Sequence, residues 1–173
     1  ITIYDGACLR MYSSAEISLA LTLTSGKNYD VFIYDNAGTL TLEVAAAWPT
    51  DTARADARAA QSGLIVKSGT PTRRWIGTLR ASAANQTADS EGGTTSTLGG
   101  TRYVWNAYNQ VRRKLKVIDT TDSWTYAVTA WRVVNGATAP ANAVQFVVGS
   151  PTLVESLYST KAGAASGIAG SVG

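Results

Sequence analysis

The sequence predicts an all-β fold, an antiparallel β-sandwich or jelly-roll-like domain with one short helix near 51–62. Three observations predict it. Between Gly63 and Gly149, short apolar or aromatic blocks follow one another, each beside a turn or polar segment. Four of the five tryptophans (Trp75, Trp105, Trp124 and Trp131) lie in that run. Upstream of it, two stretches alternate apolar and polar residues at the period of a half-buried strand. Finally, only 16% of the 173 residues are charged against 45% hydrophobic, below the roughly 25% charge of an average domain. Thr, Ser, Ala and Gly make up the difference, so the surface is kept soluble by hydroxyls rather than ions.

Residues 1–12 alternate weakly and predict a strand with a turn at Asp5-Gly6. In 17–23, Ile17, Leu19, Leu21 and Leu23 share one face, which predicts a half-buried strand. Thr24 to Asn28 form a turn. Tyr29–Asp35 is the next strand, with Tyr29, Val31 and Ile33 on one side and Phe32 and Tyr34 on the other. Asp35-Asn36-Ala37-Gly38 has hairpin chemistry, because Asn and Gly accept positive φ, and Thr39–Val44 returns. The order Leu23, Gly26, Tyr29, then a hairpin, resembles one end of a fibronectin type III domain. There a tyrosine at the start of a strand bonds back to the preceding loop; an ordinary strand tyrosine is the plainer alternative.

Thr50–Ser62 carries helix signals: Pro49 before it, Thr50 or Asp51 as cap, an Ala53/Ala57/Ala60 stripe, Arg54 and Arg58 on the wet side, and Gly63 as terminator. Strands are then expected near 64–67, 73–81, 102–109, 111–118, 124–134 and 144–149, with spacing that suits a sandwich. TRYVWNAYNQ also fits a helix through Val104, Tyr108 and Val111. Residues 82–100 read as a long exposed loop. Residues 1–150 form the expected domain, and 151–173 a Gly/Ala/Ser-rich C-terminal extension or linker. The opening ITIYDG and closing KAGAASGIAGSVG suggest part of a longer polypeptide.

Chemistry is sparse in this chain. It has no histidine, which removes Ser-His-Asp and Cys-His schemes and histidine metal sites. A single cysteine, Cys8, excludes an internal disulfide and reads as a small buried hydrophobe. The carboxylate pairs Asp30/Asp35, Asp89/Glu91 and Asp119/Asp122 sit where turns and loops use acids for local hydrogen bonds, rather than as an acid and base pair. No catalytic, metal or cofactor-binding residue is therefore expected, and no cofactor. No window reaches the roughly 18 apolar residues of a membrane helix, and no signal peptide is visible.

Net charge is +3, with a pI near 9.1. The densest charge is Arg112-Arg113-Lys114-Leu115-Lys116. On a strand, Arg112, Lys114 and Lys116 share a face, either a wet or blunted edge or a contact for an acidic glycan, lipopolysaccharide phosphate or acidic protein. Nucleic acid is not expected, because exposed aromatics do not interleave with these cations. Tyr103, Trp105 and Trp131 are candidates for glycan or subunit contact, although strand aromatics more often fill a core. Trp124 and Tyr126 pattern as core.

Several words occur in order: YDVFIYDNAGTLTLE at 29–43, VKSG at 66–69, TRRWIGTLR at 72–80, ADS at 88–90, RYVWNAYNQV at 102–111 and DTTDSWTY at 119–126. Together they resemble a module of tail-fibre and other virion proteins of tailed bacteriophages. The resemblance spans roughly residues 17–150, with Trp75 where tyrosine is common and a longer Gly/Thr insert at 91–100. It implies a non-enzymatic virion component, most simply a homotrimeric tail-fibre or spike segment for host attachment, whose partners are other virion proteins and a host surface glycan. A head-decoration or head-fibre protein bound to the capsid, and a carbohydrate-binding adhesin module, remain the alternatives.

Overall fold

The computed structural model describes residues 1–92, 99–119 and 142–157, and among them the protein is all-β. In chain order the strands are β1 (Thr2–Tyr4), β2 (Leu9–Met11), β3 (Asn28–Asn36), β4 (Thr39–Val44), β5 (Arg58–Gln61) and β6 (Leu64–Lys67). Then come β7 (Thr70–Arg80), β8 (Asp89–Ser90), β9 (Thr101–Arg102), β10 (Val104–Asn106) and β11 (Gln145–Phe146). The main sheet runs β4-β3-β7-β6-β5. β7 is its axis. One edge pairs antiparallel with β3; the other is shared by β6 near Thr70–Arg74 and β10 at Gly77–Leu79. β1 and β2 form a hairpin. A small second sheet joins β8 to β9 antiparallel and β9 to β11 parallel.

Turn chemistry explains the hairpins. Ala37 and Gly38, between β3 and β4, have φ of 51° and 91°. Ser62 and Gly63, between β5 and β6, have φ of 50° and 80°. Positive φ at both central residues matches the twist of the flanking strands. Asp35 adds an acceptor for the Gly38 N–H at 2.7 Å. In the first hairpin, Asp5 accepts the N–H groups of Cys8 and Ala7. These bonds, with Arg10 beside the carboxylate, hold its pKa down from 3.8 to about 2.

The helix expected over 51–62 does not form. Residues 50–53 bend, with Thr50 Oγ1 accepting the Ala53 N–H at 3.0 Å, and Arg58–Gln61 is a strand. Twelve Ala-rich residues make only a marginal helix alone. The hairpin with β6 supplies a ladder, and the bend carries Arg54 to buried rings. Gly63 terminates nothing helical: it is a hairpin residue. Residues 17–23 also form no ladder. They lie instead against one face of the sheet, where Leu21 and Leu23 pack with Tyr29, Leu79 and Ala81. The Leu23 N–H is taken by Asn85 Oδ1 at 2.7 Å. Alternation there marks burial without strand pairing. No strand forms over 111–118, and the expected 102–109 strand is interrupted at Tyr103 between β9 and β10. The strand expected at 124–134, residues 93–98 of the long loop and 158–173 of the C-terminal segment lie outside the described residues.

Both faces of β3 are buried. On one, Tyr29 and Leu79 anchor the first cluster. On the other, Phe32 packs with Ala45 and Trp75, with Trp105 and Ala107 beside them. A register shift between Val31 and Phe32 passes over Ile76, so that Val31 faces Gly77 and Phe32 faces Trp75. This bulge moves Trp75 to the face opposite Leu79 and beside Thr78. Gly77 is required there, since a Cβ would drive into the Trp105 carbonyl.

The Tyr29 hydroxyl accepts the Thr24 N–H at 2.7 Å, closing the Thr24–Asn28 turn. Tyr29→Phe leaves that N–H unpaired and should cost about 1–2 kcal/mol in urea unfolding. An unchanged midpoint would show that the bond contributes nothing.

Candidate functional site

Phe32 and Asp30 point to the same side of β3, so strand geometry alone sends a carboxylate into a tryptophan-lined layer. Asp30 is 0% exposed. A buried carboxylate needs hydrogen-bond partners, and both oxygens of Asp30 have them. Oδ1 accepts Trp75 Nε1–H at 2.9 Å and Thr78 Oγ1–H at 2.8 Å, and is paired with Arg54. Oδ2 accepts Trp48 Nε1–H at 3.1 Å. The bulge at Ile76 makes this possible, because it brings Trp75 and Thr78 to one side.

Arg54 is itself boxed in. Its guanidinium lies 4.4 Å from the Trp48 ring centroid and 5.6 Å from that of Trp75. It also donates to the Gly149 carbonyl, as does Arg58 Nη1 at 3.0 Å. Arg58 covers Trp75 from β5, 4.2 Å from the centroid. Burial first, then the like charge of Arg54, lowers the Arg58 pKa, and Asp30 offsets only part of this. Gly149 has no room for a side chain, since a Cβ would sit 2.6 Å from Trp105 Cε3 and 2.8 Å from Thr78 Oγ1.

Above this cluster an open cleft of about 470 Å³ lies between β5, β10 and the turn after it. Trp105 stacks on Trp75 with centroids 5.5 Å apart and planes at 24°. Tyr108, 52% exposed, has its hydroxyl fixed by donation to the Trp75 carbonyl at 3.1 Å and acceptance from Arg74 Nε at 3.0 Å. The Arg74 guanidinium lies 4.1 Å from the centre of the Tyr108 ring. Arg58, Gln110 and Pro151 complete the walls.

Of the sequence candidates, Trp105 lies in this cleft. Tyr103 does not: it is half-buried, and its hydroxyl meets Gln145. Trp131, like Trp124 and Tyr126, lies outside the described residues. Arg112, Lys114 and Lys116 form no strand face, because residues 111–118 make no ladder. Arg112 pairs with Glu155 at 2.6 Å and Lys116 with Glu91 at 3.6 Å, while Lys114 is exposed. Asp35 is a turn residue as expected, also accepting the Tyr12 hydroxyl. Asp89 pairs with Arg102 at 3.0 Å. Cys8 is exposed rather than buried.

Sequence reasoning placed Asp30 among turn acids and Arg54 and Arg58 on a wet helix face, whereas Asp30 is buried in β3 with Arg54 on it, and it missed Trp48 and Gly149. The available signal was Asp30 in phase with Phe32 inside an apolar strand, where an acid demands buried donors. Comparisons with protein-family models, curated proteins and solved structures find no match for this chain.

Asp30→Asn leaves Arg54 without its counter-charge and turns an amide N–H₂ toward indole donors. It should cost about 3–5 kcal/mol in denaturant unfolding. Combining it with Arg54→Met should cost less than the sum of the single changes, giving a measurable coupling. Additive losses would show that the pair is not the unit of stability.

Proposed function

We propose that this chain is a β-sandwich domain of a tailed-bacteriophage virion, a non-enzymatic tail-fibre or spike segment that serves host attachment. One observation carries the reading. Three of the words that resemble the phage module build the main sheet of the fold. TRRWIGTLR is the axial strand β7. RYVWNAYNQV supplies β10, Trp105 and Tyr108 beside it. YDVFIYDNAGTLTLE is the β3–β4 hairpin with its buried Asp30. These three words meet one another in the main sheet, through the β3–β7 and β7–β10 pairings, which supports reading them as one module.

Gold-labelled antibody against this domain, viewed on intact particles, tests the reading. Label at the tail tip or fibres is the expected result. Label spread over the head would replace it with capsid decoration.

Self-association belongs to the same proposal. Residues 151–157 run exposed, with Leu153 at 78% and Leu157 at 98%. Bare leucines in sequence favour burial against another chain. Three identical chains around one axis would cover them. Light scattering of the chain should return three protomers per particle; a monomer at all concentrations would sink the trimer.

A further inference from the structure

We infer that the cleft over Trp75 and Trp105 is a saccharide subsite, selective for a pyranose bearing a carboxylate. The inference rests on the attachment reading and deepens it by naming the ligand class.

Charge comes first. The cluster beneath the cleft holds two guanidiniums, Arg54 and Arg58, and one carboxylate, Asp30. Asp30 is consumed by Arg54, two indoles and a hydroxyl. Among the described residues Arg58 pairs with no carboxylate, and it donates to the neutral Gly149 carbonyl. A half-buried cation in that position can donate a charge-assisted hydrogen bond to an anion that enters the cleft. Among the described residues, the cleft walls contain no acid that would repel one.

Shape comes second. The aromatic groups are held before any ligand arrives. Trp105 is backed by Trp75, and Tyr108 is held by two hydrogen bonds and by Arg74 on its ring. Rigid aromatic surface binds without a large ordering cost. The electron-rich faces of such rings suit the C–H face of a pyranose. Gln110, exposed at the rim, donates one amide N–H to the Ala107 carbonyl and keeps a second N–H and Oε1 for ring hydroxyls. A tract of nucleic acid would need a track of several cations, and among the described residues this cleft is lined by one.

The test is a titration of the full chain, labelled with ¹⁵N, followed by NMR. The probes are trigalacturonate, a neutral galactose trisaccharide and a short oligothymidylate. The expected result is that trigalacturonate shifts the Trp105 indole and Gln110 amide signals, with affinity roughly tenfold above the neutral trisaccharide. Arg58→Gln should bring the acidic probe down to the neutral level, while Arg58→Lys keeps most of the preference. Gln110→Ala, an exposed change that spares the core, should weaken both sugars. No shift with either sugar overturns the subsite. Equal affinity for the two sugars overturns its acidic selectivity. Stronger shifts with oligothymidylate overturn the ligand class. The titration needs no virion, so its failure would leave tail labelling intact, and head labelling would leave sugar binding intact.

Discussion

A carboxylate removed from water must be answered on every side, and the answers to Asp30 organise this fold. Its four partners come from three places: Trp48 after β4, Arg54 in the bend, and Trp75 and Thr78 on either side of the β7 bulge. None of them is adjacent to it in sequence. Each must arrive for the charge to be tolerated, which makes the cluster a check on correct assembly as much as a source of stability. The same arrangement fixes Trp75, and through it Trp105 and Arg58, so the cleft takes its shape from a charge buried beneath it.

Much of the local structure was legible. The Asn-Ala-Gly turn lies where the chain reverses, and the apolar phases of 29–35 and 39–44 match the paired strands. Tyr29 reaches back to its turn, as its position beside Gly26 implies. These features depend on neighbours in sequence. What failed depends on distant partners. Period-two counting places Trp75 with Leu79, but the bulge at Ile76 reverses that parity, and no residue type announces it. Arg54 and Arg58 looked solvated because a helix would have pointed them outward. Leu21 and Leu23 alternate like a strand because a segment lying on a sheet must also turn its apolar side inward.

The candidate site was half visible. Trp105 stood out as an aromatic with an open role, while Tyr103, chosen on the same grounds, is held inward by Gln145. The basic run at 112–116 drew notice because charge density is easy to see in a sequence. In the fold, two of its cations are answered by Glu155 and Glu91. The cation that matters to the cleft, Arg58, is isolated in sequence and gains its importance from Trp75 below it.

Gly149 carries one more consequence. Its carbonyl is gripped by Arg54 and Arg58, and its lack of a side chain lets the backbone sit against Trp75 and Trp105. Tension applied to the chain at Ser150 would therefore enter the fold at its centre, through two charged hydrogen bonds backed by Asp30 and a stack of rings. Load at that point therefore meets these two guanidinium–carbonyl bonds before it reaches the short β11–β9 ladder.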